Sequence, residues 1–137
     1  MAYTTIDDPT IYFNTVTYAG DGTADRSITG VGFQPDWVWI KNRSSASDHV
    51  LFDAIRGVKV AINSNDASAD DTISNSLTAF NTDGFSVSGN SSTNTSSANY
   101  VGWSWLAGGT APAITYTVKV VSDSGNKYRF DDFGTSA

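Results

Sequence analysis

His49 is the single histidine of the chain, with Asp48 beside it and Asp53 a little further on. An imidazole held by a carboxylate can serve as a general base, but only with a nucleophile in reach. The serines supply none. No Gly-x-Ser-x-Gly elbow is present, and the one stretch that brings Ser, His and Asp together reads as a polar loop running into a short strand. With no cysteine and no second histidine, a transition-metal site has nothing to build on. Oxygen ligands are plentiful: Asp21-Gly22-Thr23-Ala24-Asp25 spaces two carboxylates on a glycine-bearing loop, and Asp70-Asp71 and Asp131-Asp132 are adjacent pairs. None has the remaining positions and bidentate Glu of an EF-hand loop, so each reads as solvated turn Asp rather than a calcium site. No catalytic residue, metal ligand or cofactor is assigned.

The second chemistry is aromatic. Trp37, Trp39, Trp103 and Trp105 are the four tryptophans, two on each of two strand-like runs. Indole faces stack on the C–H faces of sugars, and the Asn- and Asp-rich loops nearby in sequence could supply hydrogen bonds. The same residues equally make the interior of a sandwich, since large aromatics dominate core energetics. The paired alternation favours the interior. If the indoles instead reach solvent, Trp37, Trp39, Trp103 and Trp105, with Asn94 and Asp70 from the polar loops, are the candidate contacts for a ligand or partner.

The elements that must position these residues are short strands. Pro35-Asp36 turns the chain into Trp37-Val38-Trp39-Ile40-Lys41, whose period of two gives one aliphatic and one aromatic face. Tyr100 to Leu106 sets Val101, Trp103 and Trp105 on one side and Gly102 and Ser104 on the other, and a small-residue face lets another sheet approach closely. Further strands are expected over 11–18, 26–29, 49–53 and 58–62. Leu77 to Phe80 and Phe85 to Ser88 flank Asp83-Gly84 as a hairpin. Residues 63–75 read as a long surface loop and 89–99 as a second, mobile one. After the Gly108-Gly109 linker, 114–121 and 127–130 form a last hairpin. The expected fold is all-β, an antiparallel β-sandwich of jelly-roll or concanavalin-like type with a C-terminal β-hairpin extension. Its sandwich domain covers 1–108, and the linker and hairpin cover 109–137.

The totals narrow the partners. Net charge is -6, and all 14 acidic residues are Asp, which favours turns over helices. Eight scattered Lys and Arg argue against nucleic acid. No apolar run approaches the roughly 20 residues of a membrane helix, so no membrane insertion is expected. Met1 to Pro9 lacks the basic and apolar regions of a secretory signal, and Asn42-Arg43-Ser44, Asn90-Ser91-Ser92 and Asn94-Thr95-Ser96 therefore read as coincidental matches to the glycosylation pattern.

Four ordered blocks resemble a known family: Phe33 to Arg43; Asp48 to Asp53 with Arg56-Gly57; Leu77 to Phe85; and Tyr100 to Gly109. Together with Met1 to Pro9 they are similar to the repeated SPRY- and concanavalin-like β-sandwich domain of marine bacteriophage tail fibres and virion structural proteins. The resemblance spans residues 1–110, and Ser104 stands where that family carries a cysteine. The segment after 114 resembles the opening of a second β-domain in related phage proteins, which implies a longer native chain than 14.5 kDa. The resemblance implies a non-enzymatic virion protein, a tail fibre or capsid decoration, placed on the outer surface or tail of the particle and contributing to host attachment. It implies homo-oligomers, other virion proteins as partners and a host-surface glycan as a candidate ligand, with the terminal hairpin as a docking or strand-exchange element. A carbohydrate-binding, lectin-like module is the alternative from a different class.

Overall fold

The structure, a computed structural model, describes residues 8–107 and the strand pair 121–122 and 128–129. Asp8 opens it by accepting a hydrogen bond from the Thr10 backbone N–H, which caps a single 3-10 turn at Pro9–Ile11. Proline suits that position because its missing N–H would be unpaired there in any case.

Nine strands follow in the sandwich: β1 (Phe13–Ala19), β2 (Arg26–Ile28), β3 (Trp37–Asn42), β4 (His49–Asp53), β5 (Val60–Asn63), β6 (Asp71–Thr72), β7 (Leu77–Asn81), β8 (Gly84–Val87) and β9 (Asn99–Trp105). They form two antiparallel sheets, a six-stranded one ordered β1-β9-β3-β4-β5-β6 and a three-stranded one ordered β2-β8-β7. The expected all-β antiparallel sandwich is therefore the fold. The expected hairpin is β7–β8, with Gly84 at φ +118°, a conformation that a side chain would strain. Downstream, β10 (Val121–Ser122) pairs antiparallel with β11 (Tyr128–Arg129). The rest of the expected terminal hairpin, the linker from Gly108, Met1 to Asp7 and Asp131-Asp132 lie outside the described residues.

The core lies between the sheets. Val38, Ile40, Val50, Phe52 and Tyr100 of the large sheet meet Ile28, Leu77, Phe85 and Val87 of the small one. Gly102 lets the sheets close up: a Cβ on it would lie 2.9 Å from the Phe85 ring. The small-residue side of β9 is thus the side another sheet approaches, as its sequence implies.

Three expectations need correction. The tryptophans alternate with the core residues, so they lie on the opposite, outer face of the large sheet and do not form the shared interior. Sequence favoured the interior because indole is large and apolar. Phe85 of the three-stranded sheet, however, closes down on β9 at Gly102, next to Ser104, and leaves no room there for an indole. The second correction is to the surface loop 63–75, which contains β6, paired to β5 through Val60–Thr72 and Ala61–Asp71. Its side chains are polar because both of its residues are exposed, and backbone pairing asks nothing of them. The loop 89–99 is the third: it is pinned rather than loose. Thr93 and Asn94 are fully buried there, and Thr93 Oγ1 donates to the Ser88 carbonyl at 3.0 Å.

Candidate functional site

Residues directly opposite in an antiparallel pair share a face, so the register writes out the outer face of the large sheet. One row across it reads Phe13, Trp105, Trp37, Asp53 along β1, β9, β3 and β4. The next reads Thr15, Trp103, Trp39, Leu51 and continues to Ile62 of β5. A third reads Thr17, Val101, Lys41, His49. The pairing of β3 with β9 thus sets indole beside indole twice.

The rings are in mutual contact. Trp37 and Trp105 have centroids 4.4 Å apart, Trp39 and Trp103 5.5 Å, and Phe13 packs on Trp105 at 4.9 Å. His49 stands 6.1 Å from Trp39. Each tryptophan is partly buried. Leu51, beneath them, is only 8% exposed although it is no part of the core between the sheets. Trp39 Nε1 is shielded from solvent and has no acceptor among the described residues. Its polar edge is therefore turned away from solvent.

Beyond Trp37 the surface falls into an open depression of about 350 Å³ lined by Asp36, Trp37, Asp53, Ala54, Ile55 and Ala107. Ile55, at the tip of the turn after β4, is 96% exposed. Its turn is held by Asp53, whose Oδ1 accepts from the N–H groups of Ile55 and Arg56 and whose Oδ2 takes the Arg56 Nε at 2.6 Å. Desolvation pushes the Asp53 carboxyl up, but these hydrogen bonds and the guanidinium charge outweigh it and leave the pKa below its ordinary value. Asp36 Oδ2 accepts from the Ala107 N–H at 3.0 Å. Lys41 Nζ donates to the Ser47 and Ser45 carbonyls at 2.6 and 3.3 Å. The charged groups around the tryptophans are thus engaged in holding turns, which leaves a largely aromatic surface suited to contact.

The other candidates lie elsewhere. Asn94 is buried near the opposite end of the sheet, where its Nδ2 donates to Asp21 Oδ1 and the Thr23 carbonyl at 3.0 Å and its Oδ1 accepts from the Asp21 N–H and from Arg26. It is a structural clamp rather than a contact, because its amide is saturated from within. Asp70 is exposed beside β6, the far edge strand, three strands and so about 14 Å from β3. Asp21 accepts from Thr23 N and Oγ1 and from Asn94, and lies 3.4 Å from Arg26; these bonds, the Thr23 backbone first, hold its pKa down to about 2. Among the described residues no three His, Cys, Asp or Glu side chains gather as a metal set. Sequence reasoning passed over Phe13 and Ile55. Phe13 heads an alternation with Thr15 and Thr17, and an isoleucine at a turn tip was the signal for Ile55.

A family model described as a domain of unknown function, DUF7483, matches residues 8–128. No curated protein and no solved structure matches the chain.

Proposed function

Because this chain belongs to the DUF7483 family, whose function is unknown, we propose its role from its own residues: a non-enzymatic structural protein of a phage particle, a tail fibre or capsid decoration. It docks through the outer face of its large sheet. One observation carries the reading: four partly exposed tryptophans share that face with the exposed Phe13, while the neighbouring charges are satisfied internally. An apolar patch of this kind on a soluble domain marks an interaction site. The virion context comes from the four sequence blocks that resemble phage sandwich domains. Other virion proteins are the partners, the outer surface or tail is the location, and host attachment follows from it. Nucleic acid does not fit a chain of net charge -6. Among the described residues no helix is long and apolar enough to cross a membrane.

The test is location. An antibody against the purified protein should label particles of the encoding phage at the tail or the capsid surface in negative-stain images; its absence from purified particles would sink the proposal.

A carbohydrate-binding module is the second reading, favoured by the same partly exposed indoles, which give a sugar a stacking platform that a core position would not. Among the described residues the carboxylates and amides that would orient hydroxyl groups are not free, since Asp53, Asp36 and Asn94 are all engaged. Intrinsic tryptophan fluorescence titrated with host-surface glycans separates the two: a saturable change favours the sugar.

A further inference from the structure

We propose that the partner of the tryptophan face is a second copy of this chain, packed sheet on sheet about a two-fold axis parallel to the strands, between β9 and β3. This rests on the reading of the face as a docking surface and names its occupant.

The face is self-complementary about that axis. Across it the strand order β1-β9-β3-β4 maps onto β4-β3-β9-β1, and the rows stay in line. Trp103 and Trp105 of one copy then lie over Trp39 and Trp37 of the other, aromatic on aromatic, at the small crossing angle of aligned sheets. At the ends, shapes interlock. Phe13, 37% exposed on β1, projects over the depression between Trp37, Asp53 and Ile55 at the β4 end of the other copy, and the contact repeats by symmetry.

Charge selects the same surface. Two copies of net charge -6 repel, so they meet best where free carboxylates are fewest. Besides His49, the only ionisable side chains among the paired residues of this face are Asp53 and Lys41, and both are held by groups of their own copy. They can be covered without a new partner being found for either.

The size suits a modest affinity. The four overlapping strands span about 19 Å and six residues about 20 Å, giving roughly 400 Å² from each copy and about 800 Å² in total, the size of a weak, transient interface. The dimer forms in the micromolar range alone, and repetition on a particle reinforces it.

The experiment is sedimentation equilibrium on the full chain from about 1 to about 500 µM, with acrylamide quenching of tryptophan in parallel. The mass should climb from 14.5 kDa towards twice that value, with quenching falling over the same range. Phe13→Asp sets a carboxylate over Asp53 of the other copy and should weaken the dimer by about tenfold or more, whereas Phe13→Lys should hold it within about threefold. Ser27→Asp and Ser27→Lys, on the exposed side of β2, control for net charge and should leave it unchanged. Urea midpoints confirm that each variant folds. A monomer throughout, with tryptophans already shielded, means that the chain's own segment after Ala107 covers the face and overturns the proposal. A monomer with accessible tryptophans that still labels particles also overturns it, yet leaves virion docking standing. An oligomer indifferent to Phe13→Asp overturns it as well, because a different surface then makes the contact.

Discussion

The two faces of the six-stranded sheet differ in a way that inverts the usual reading of hydrophobicity. The inner face carries Val38, Ile40, Val50, Phe52, Tyr100, Gly102 and Ser104, all sealed; the outer carries four tryptophans and Phe13, all partly open. The bulkier residues are on the more exposed side. Burial follows fit rather than size: the three-stranded sheet drives Phe85 down onto Gly102, and an indole in that place would hold the sheets apart. The outer tryptophans have no opposing layer among the described residues and cover one another and Leu51 instead.

That contrast can be broken most forcefully from inside. Phe85→Ala should cost about 3–5 kcal/mol, measured by urea unfolding at a fixed protein concentration. Trp105→Ala removes a larger side chain, yet should cost less, about 2 kcal/mol, because only part of the ring is covered. Equal losses at the two positions would mean that the outer face is as sealed as the inner. Ser104 lies on the inner face with a buried Oγ that has no partner among the described residues. Ser104→Ala, which removes a buried hydroxyl without a partner among the described residues, should therefore be neutral or stabilising by up to about 1 kcal/mol; a clear loss would show that the hydroxyl is engaged.

The smallest effect comes through the loops that join the sheets. Asp21 is held down by the Thr23 N–H and Asn94, and Asp83 by the Gly32 and Gly30 N–H groups. Both folded pKa values lie below the ordinary 3.8. Their contribution is thus complete above about pH 4 and lost as the pH falls below it, down to about 2 for Asp21. Urea midpoints should be flat in this respect above that window and decline through it, and Asp21→Asn should make the decline shallower. A decline centred near neutrality would point to a different group.

The strands were legible in the sequence because alternation of β-branched and aromatic residues is local information. The Asp83-Gly84 hairpin followed from it. The face assignment was not legible from the tryptophans themselves, because indole suits a core and a contact surface equally. The informative residues were their neighbours: Gly102 and Ser104 mark the side on which another sheet lies close. Asn94 was misread for a different reason. Its partners Asp21, Thr23 and Arg26 are distant in sequence and near only after folding, so its composition-poor loop looked like free surface. β6 was hidden because an exposed two-residue strand asks for no apolar side chain.

The position of β9 has a consequence for the order in which the molecule is made. It is the last strand of the sandwich in the chain, yet it sits between β1, the first, and β3, and Phe13 finds Trp105 across almost the whole described length. A chain emerging from the ribosome N-terminus first therefore carries β1 and β3 without the strand that joins them. Trp37 and Trp39 wait beside a missing neighbour until residue 105 is released. Closing so long a loop sets back the final step, so folding of the large sheet belongs to the completed sandwich rather than to its growing fragments.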